Sequence, residues 1–149
     1  MNKAETLLVA FRDLNWENYI EISDAIVRFD KNNVEGELIE QASIYSYYQG
    51  LLTVAKREYD KSQLDLAQFV ATSRKDEQET CLRTGRKATE KSLEAFVISL
   101  PDYKEKTEYA IELSYKLSLL KGLVEALQHK KDMLVQISAN IRAETKIYS

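Results

Sequence analysis

PDYKEKTEYAIELSYKLSLLKGLVEALQHKKDMLVQISANIRAETK, residues 101–146, decides the fold. Its one Pro is its first residue and its one Gly is Gly122, so little inside it breaks a helix. Pro101 suits the first helical turn, where its missing N–H costs almost nothing. A seam runs through Ala110, Leu113, Leu117, Leu120, Val124, Leu127, Lys131, Leu134, Ser138 and Ile141 at alternating 3-4 spacing. Leu119, Leu123, Ala126, Met133 and Ile137 widen that face. At about 1.5 Å per residue the segment predicts a helix roughly 70 Å long. An apolar face so wide needs more than one neighbour, which predicts a bundle assembled into a homo-oligomer. Leu113, Leu117, Leu120, Val124, Leu127 and Leu134 are the expected oligomerisation residues, and acidic substitutions at Leu120 and Leu127 are expected to dissociate the assembly.

Upstream, residues 37–79 contain no Pro and only Gly50. Leu38, Ala42, Tyr45, Tyr48 or Gln49, Leu52, Ala55, Tyr59, Ser62, Leu66 and Phe69 form a second heptad-like stripe. Tyr45, Tyr47 and Tyr48 cluster near its start. Exposed aromatics can stack on bases, but on such a stripe they read first as packing residues. The segment TCLRTGRKAT, residues 80–89, interrupts the pattern at Gly85 and reads as a basic loop with three cations and no acid. Thr89 is then a plausible N-cap for a short helix over EKSLEAFVISL.

The front of the chain differs in charge. Residues 1–49 hold 4 basic and 9 acidic side chains, whereas residues 50–149 hold 17 and 15. A turn cluster, Asp30-Lys31-Asn32-Asn33, separates an acidic helical segment, 1–33, from a long-helix bundle, 34–149. In the front segment Asn15 is an N-cap candidate. Trp16, Tyr19, Ile20, Ala25, Ile26 and Phe29 form its apolar stripe, with Glu17, Glu21, Asp24 and Arg28 opposite. A further short helix is expected over residues 3–12.

The 149 residues include 4 Gly, 1 Pro, 1 Cys and 1 His. So few breakers exclude a many-stranded sheet. One Cys and one His exclude a disulfide framework and a Cys/His zinc site. No apolar run approaches the roughly 18 residues of a membrane span. A soluble, cytoplasmic, all-α protein is the expectation. No nucleotide-binding glycine loop, nucleophile elbow or zinc-protease motif occurs. Glu125 and His129 share a helical face, which is an ordinary i,i+4 surface pair. Cys81 has no partner suited to nucleophilic work. We therefore expect no enzyme and no cofactor or metal.

Cations are the more informative charge. Lys56, Arg57, Lys61, Arg74, Lys75, Arg83, Arg86, Lys87 and Lys91 are offset by seven acids over residues 54–91. A solvated helix face accounts for Lys56, Arg57 and Lys61 as well as a phosphate track does. Arg83, Arg86 and Lys87, without local acids, make the better phosphate contact.

QASIYSYYQGLLTVAKREYDKSQLDL, residues 41–66, and TEKSLEAFVISLPDYKEKTEYAIELSYKLSLLKGLVEALQHKKDMLVQI, residues 89–137, follow each other with the basic loop between them. This order of helix, basic loop, E-K-S helix, acidic turn and long apolar helix resembles the UvsY-like family of phage recombination mediators. The resemblance covers residues 41–137. It implies single-stranded-DNA binding, ring-like homo-oligomers and the loading of a RecA-like recombinase against a competing single-stranded-DNA-binding protein, in a phage-infected host cell. The family's DNA-contacting stretch falls on Asp60-Lys61-Ser62-Gln63-Leu64, where Lys61 is retained and Gln63 replaces an Arg. Lys61, Arg83, Arg86 and Lys87 are thus the expected nucleic-acid-binding residues. The alternative, from a different class, is a structural or adaptor coiled-coil protein, such as a virion-assembly component, that binds no nucleic acid.

Overall fold

The computed structural model describes residues 10–149. Helices α1 (Trp16–Val27), α2 (Val34–Thr84), α3 (Glu90–Ser99) and α4 (Pro101–Tyr148) form an all-α helical bundle. The helix expected over 3–12 lies outside the described residues except for Ala10–Arg12, which are helical.

Each helix boundary has a local cause. Asn15 caps α1: its side chain accepts from the Asn18 N–H at 3.0 Å, while Asn18 Oδ1 accepts from the Asn15 N–H at 2.8 Å. Asn33 starts α2 by accepting the Gly36 N–H at 3.3 Å. A Cβ at Gly36 would come within 2.4 Å of that Asn33 amide, so Gly leaves the cap its space. At the other end of α2, Gly85 adopts φ 72° and the Arg86 N–H reaches back to the Cys81 carbonyl at 3.0 Å. This is a Schellman ending, which needs the left-handed conformation that glycine adopts most readily. The helix therefore runs to Thr84, and Arg83, expected in a loop, lies on its last turn. Thr89 and Ser92 form a reciprocal capping box for α3. Pro101 holds Leu100 extended, at ψ 133°, and so separates α3 from α4.

The described chain divides into two compact units. One holds the described residues through Ala55 together with Lys116–Ser149, and the other holds Lys56–Tyr115. The expected boundary at residue 33 is not where the chain divides. The described part of the acidic front shares a unit with the start of α2 and the end of α4, because its apolar residues are too few to form a core of their own.

In the first unit Phe11 and Leu14 are buried with Val34, Leu51, Ala55 and the α4 residues Leu117, Leu119, Leu120, Leu123, Leu127 and Leu134. Each such leucine contributes about 2 kcal/mol of burial. Tyr19 of α1 lies so close to α4 that a Cβ at Gly122 would meet its hydroxyl at 2.7 Å. Helix α2 contacts α4 through Gln41, whose Nε2 donates to the Leu127 carbonyl at 2.7 Å. Two positions of the expected seams shift by one residue. Gln41 is buried and Ala42 exposed, and Lys130 is buried and Lys131 exposed. Lys130 is only 4% exposed because its ammonium has work to do inside: it donates to the carbonyls of Ile26 at 2.9 Å and Arg28 at 3.0 Å and pairs with Glu37 at 3.5 Å. It thereby closes the C-terminal end of α1, where cations are favoured.

In the second unit Leu93 and Val97 of α3 are buried, as are Ala110 and Leu113 of α4. Helix α2 buries small side chains here, Ser62, Ser73 and Cys81. Ser62 satisfies its hydroxyl on the Tyr59 carbonyl at 2.7 Å. Polar ties cross between helices at Arg74–Glu90 (2.6 Å), Lys106–Asp65 (2.6 Å) and Tyr109–Glu58 (2.8 Å). Lys106 also sits 5.8 Å from the centre of the Phe69 ring. Its ammonium is held above the usual lysine range, chiefly by the hydrogen bond to Asp65.

Candidate functional site

The structure disperses the expected nucleic-acid-binding residues. Lys61 and Arg83 lie on one helix, twenty-two residues apart, which is about 33 Å along its axis. Lys61 is exposed but does not join the basic cluster. Arg83, Arg86 and Lys87 do stay together, around the Schellman ending of α2, and all three are exposed. Arg86 Nη2 approaches Glu77 at 3.6 Å and its Nε donates to the Thr84 hydroxyl at 3.2 Å. Arg83 donates to the Thr80 hydroxyl at 3.3 Å. Cations on the last turn of α2 also complement its dipole, so part of this cluster has a purely local reason to exist. Beside them Leu82 is 83% exposed.

The expected oligomerisation residues are placed differently from the reading of the seam. Leu113, Leu117, Leu120, Leu127 and Leu134 are buried inside a single chain, and Val124 is half-buried. By its sequence the apolar face of α4 is too wide for one partner helix. In the first unit α1 is a further neighbour on that face, through Tyr19 beside Gly122 and the Ile26 and Arg28 carbonyls on Lys130, whereas Leu113 is buried in the second unit. Toward its end the seam outruns its cover. Contacts of Gln41 with Leu127 and of Glu37 with Lys130 bring Val34, the first residue of α2, level with Leu134. Beyond it Ile141, Ile147 and Tyr148 are exposed.

Helix α1 presents the second charged surface. Of its expected apolar stripe, Tyr19 and Ile26 are half-buried, but Trp16 is 56% and Ile20 49% exposed. Trp16 stacks on Tyr19 with ring centres 5.5 Å apart. Glu17, Glu21 and Asp24, expected on the opposite face, are exposed on the sector next to Ile20, and Asp24 pairs with Arg28 at 2.5 Å. An exposed Trp beside an aliphatic side chain with charges around it has the make-up of an interaction anchor. Sequence periodicity assigned Trp16 and Ile20 to the core. It could not show that the remaining stripe residues suffice to seat the helix.

The tyrosine cluster is mostly packing. Tyr45 and Tyr48 are half-buried, and Tyr47 meets Tyr48 edge-on with centres 5.1 Å apart. Burial, and secondarily Tyr47, raises the Tyr48 phenol above the usual tyrosine value.

Among the described residues no cluster of three His, Cys, Asp or Glu could hold a metal ion. Cys81 is buried, its thiol facing a Glu77 carboxylate oxygen at 3.6 Å, and His129 is exposed on α4. In the second unit a cavity of about 240 Å³ is lined by Val70, Arg74, Glu94, Val97, Ile98 and Tyr103. It holds no nucleophile–base pair, and the Arg74 guanidinium is committed to Glu90. Among the described residues no helix is long and apolar enough to cross a membrane.

The fold thus defines an all-α protein whose notable features are two charged, partly apolar surfaces. Residues 4–91 match the family model described as "Protein of unknown function (DUF3216)". That span is more than half of the chain, and the chain belongs to this family. No curated protein and no solved structure matches it.

Proposed function

We propose that this protein is a non-enzymatic assembly protein, of the structural or adaptor class, that works by associating through exposed helical surfaces. The observation that carries this reading is the α1 face: Trp16 and Ile20 are about half exposed and flanked by Glu17, Glu21 and Asp24. Exposing a Trp and an Ile on a helix that could have turned them inward forgoes burial of roughly 2 kcal/mol each. A partner surface would recover it. Sedimentation equilibrium on the purified chain tests the reading. We expect a mass above the 17.2 kDa of one chain at micromolar concentration, and a mass that stays at one chain argues against it.

A second reading has its own support in the turn carrying Arg83, Arg86 and Lys87, three exposed cations in a segment without acids. In this reading the protein is a single-stranded-DNA-binding recombination mediator that helps load a RecA-like recombinase. Three phosphate contacts would give a log–log salt slope of about −2, at roughly 0.7 per contact on a single strand. Fluorescence anisotropy with labelled oligo-dT across a salt series measures that slope. Absence of binding at low salt removes this reading.

A further inference from the structure

The two charged surfaces complement each other. On α1 an apolar pair, Trp16 and Ile20, is bordered by the carboxylates of Glu17, Glu21 and Asp24. At the end of α2 one exposed apolar side chain, Leu82, is followed by the exposed cations Arg83 and Lys87, while Arg86 turns to Glu77 at 3.6 Å. We infer that the α1 face of one copy takes the α2-end turn of a second copy, an inference that rests on the assembly reading above and names the partner. Leu82 would lie against Trp16 and Ile20, and Arg83 and Lys87 would face Glu17 and Glu21.

Three observations favour a second copy of this chain over a nucleic acid at the turn. A single-stranded nucleic-acid site pairs cations with aromatic platforms for the bases, and residues 80–89 contain no Phe, Tyr or Trp. The most exposed apolar group there is Leu82, which a phosphate backbone leaves in water. The charge division is also built into the chain, with 4 basic and 9 acidic side chains in residues 1–49 against three cations and no acid in residues 80–89. Opposite potentials of this kind steer encounter and fix orientation. Each copy carries both halves of the contact, so two copies can satisfy it reciprocally about a two-fold axis, or a head-to-tail arrangement continues until a ring closes or a filament grows.

Charge reversal in two separate variants tests this. The first carries Glu17→Lys with Glu21→Lys, and the second carries Arg83→Glu with Lys87→Glu. All four positions are exposed, and circular dichroism confirms that each variant keeps its helix content. Sedimentation of the parent should show association that weakens as salt rises from 50 to 500 mM, on the order of the screening expected for exposed charges. Each variant alone should associate about tenfold more weakly, since like charges then meet across the contact. Mixed in equal amounts, the two variants should associate again, because the basic α1 face now meets the acidic turn. A parent that associates while both variants match it overturns the inference and leaves the assembly reading standing. A parent that stays a single chain overturns both. If the Arg83→Glu, Lys87→Glu variant loses oligo-dT binding while its self-association is unchanged, the turn is a phosphate site and the inference falls.

Discussion

The two units use the same pair of long helices and hold them by different means. In the first, the ties are buried: Gln41 to the Leu127 carbonyl, Lys130 to the end of α1 and to Glu37, and a run of α4 leucines with no exposure. In the second, the crossing ties are ion pairs and hydrogen bonds at the surface, Arg74–Glu90, Lys106–Asp65 and Tyr109–Glu58, over a core that includes Ser62, Ser73, Ala110 and Cys81. Small side chains let helices approach closely but bury little apolar area. The first unit therefore draws its stability from burial that salt barely touches. The second rests more on contacts that water and salt weaken.

The largest effect is expected at the centre of the first unit. Leu127→Ala should cost about 4 kcal/mol, since a fully buried leucine leaves a cavity between packed helices. Urea unfolding measures it, and a cost below about 1 kcal/mol would show that this core is not well packed. Next comes Lys130→Met, expected to cost about 3 kcal/mol. It strips the Ile26 and Arg28 carbonyls of their donor and leaves Glu37 without its cation. Hydrogen exchange should locate the damage at the last turn of α1 and the 28–33 connection. Loss confined elsewhere would break the claim that Lys130 closes that helix.

The second unit should respond far less to removal of a polar tie. Arg74→Gln breaks the pair with Glu90, which is mostly exposed, and should cost under about 1 kcal/mol, less still in high salt. A cost equal to that of Lys130→Met would erase the contrast between the units. The smallest effect concerns pH. Tyr48 of the first unit has its phenol raised above 10.0 by burial and then by Tyr47. The unfolded chain therefore loses this proton at lower pH than the folded one does. The contribution is complete below about pH 10 and declines as pH rises through and beyond it. Tyr48→Phe should flatten that alkaline decline, read as the change in urea midpoint between pH 9 and pH 11.

Much of the local structure was legible because its causes are local. Asn15, Thr89 and Pro101 begin helices through their own side chains and ring, and Gly85 ends one through its φ. The α4 seam was legible as a stripe, but its phase was not. Periodicity favours apolar residues and placed Lys131 and Ala42 near the seam, whereas Lys130 and Gln41 are the buried ones because each finds carbonyl partners across the unit. The candidate site was legible in part. Arg83, Arg86 and Lys87 are neighbours in sequence and remain neighbours in space. Lys61 stands apart from that turn, and Trp16 and Ile20 lie outside the core, which spacing alone does not fix.

The sequence by itself determined an all-α chain, the places where its helices start and stop, and the separation of acidic front from basic turn. Those follow from propensity, capping and composition, which act over a few residues. Only the tertiary structure decided that α1 lies on the wide face of α4, whose leucines are buried in the chain's own core, and that Trp16 and Leu82 stay outside. Which of several apolar stripes gets covered depends on which helix reaches it, and burial is a property of the assembled neighbours, not of the residue.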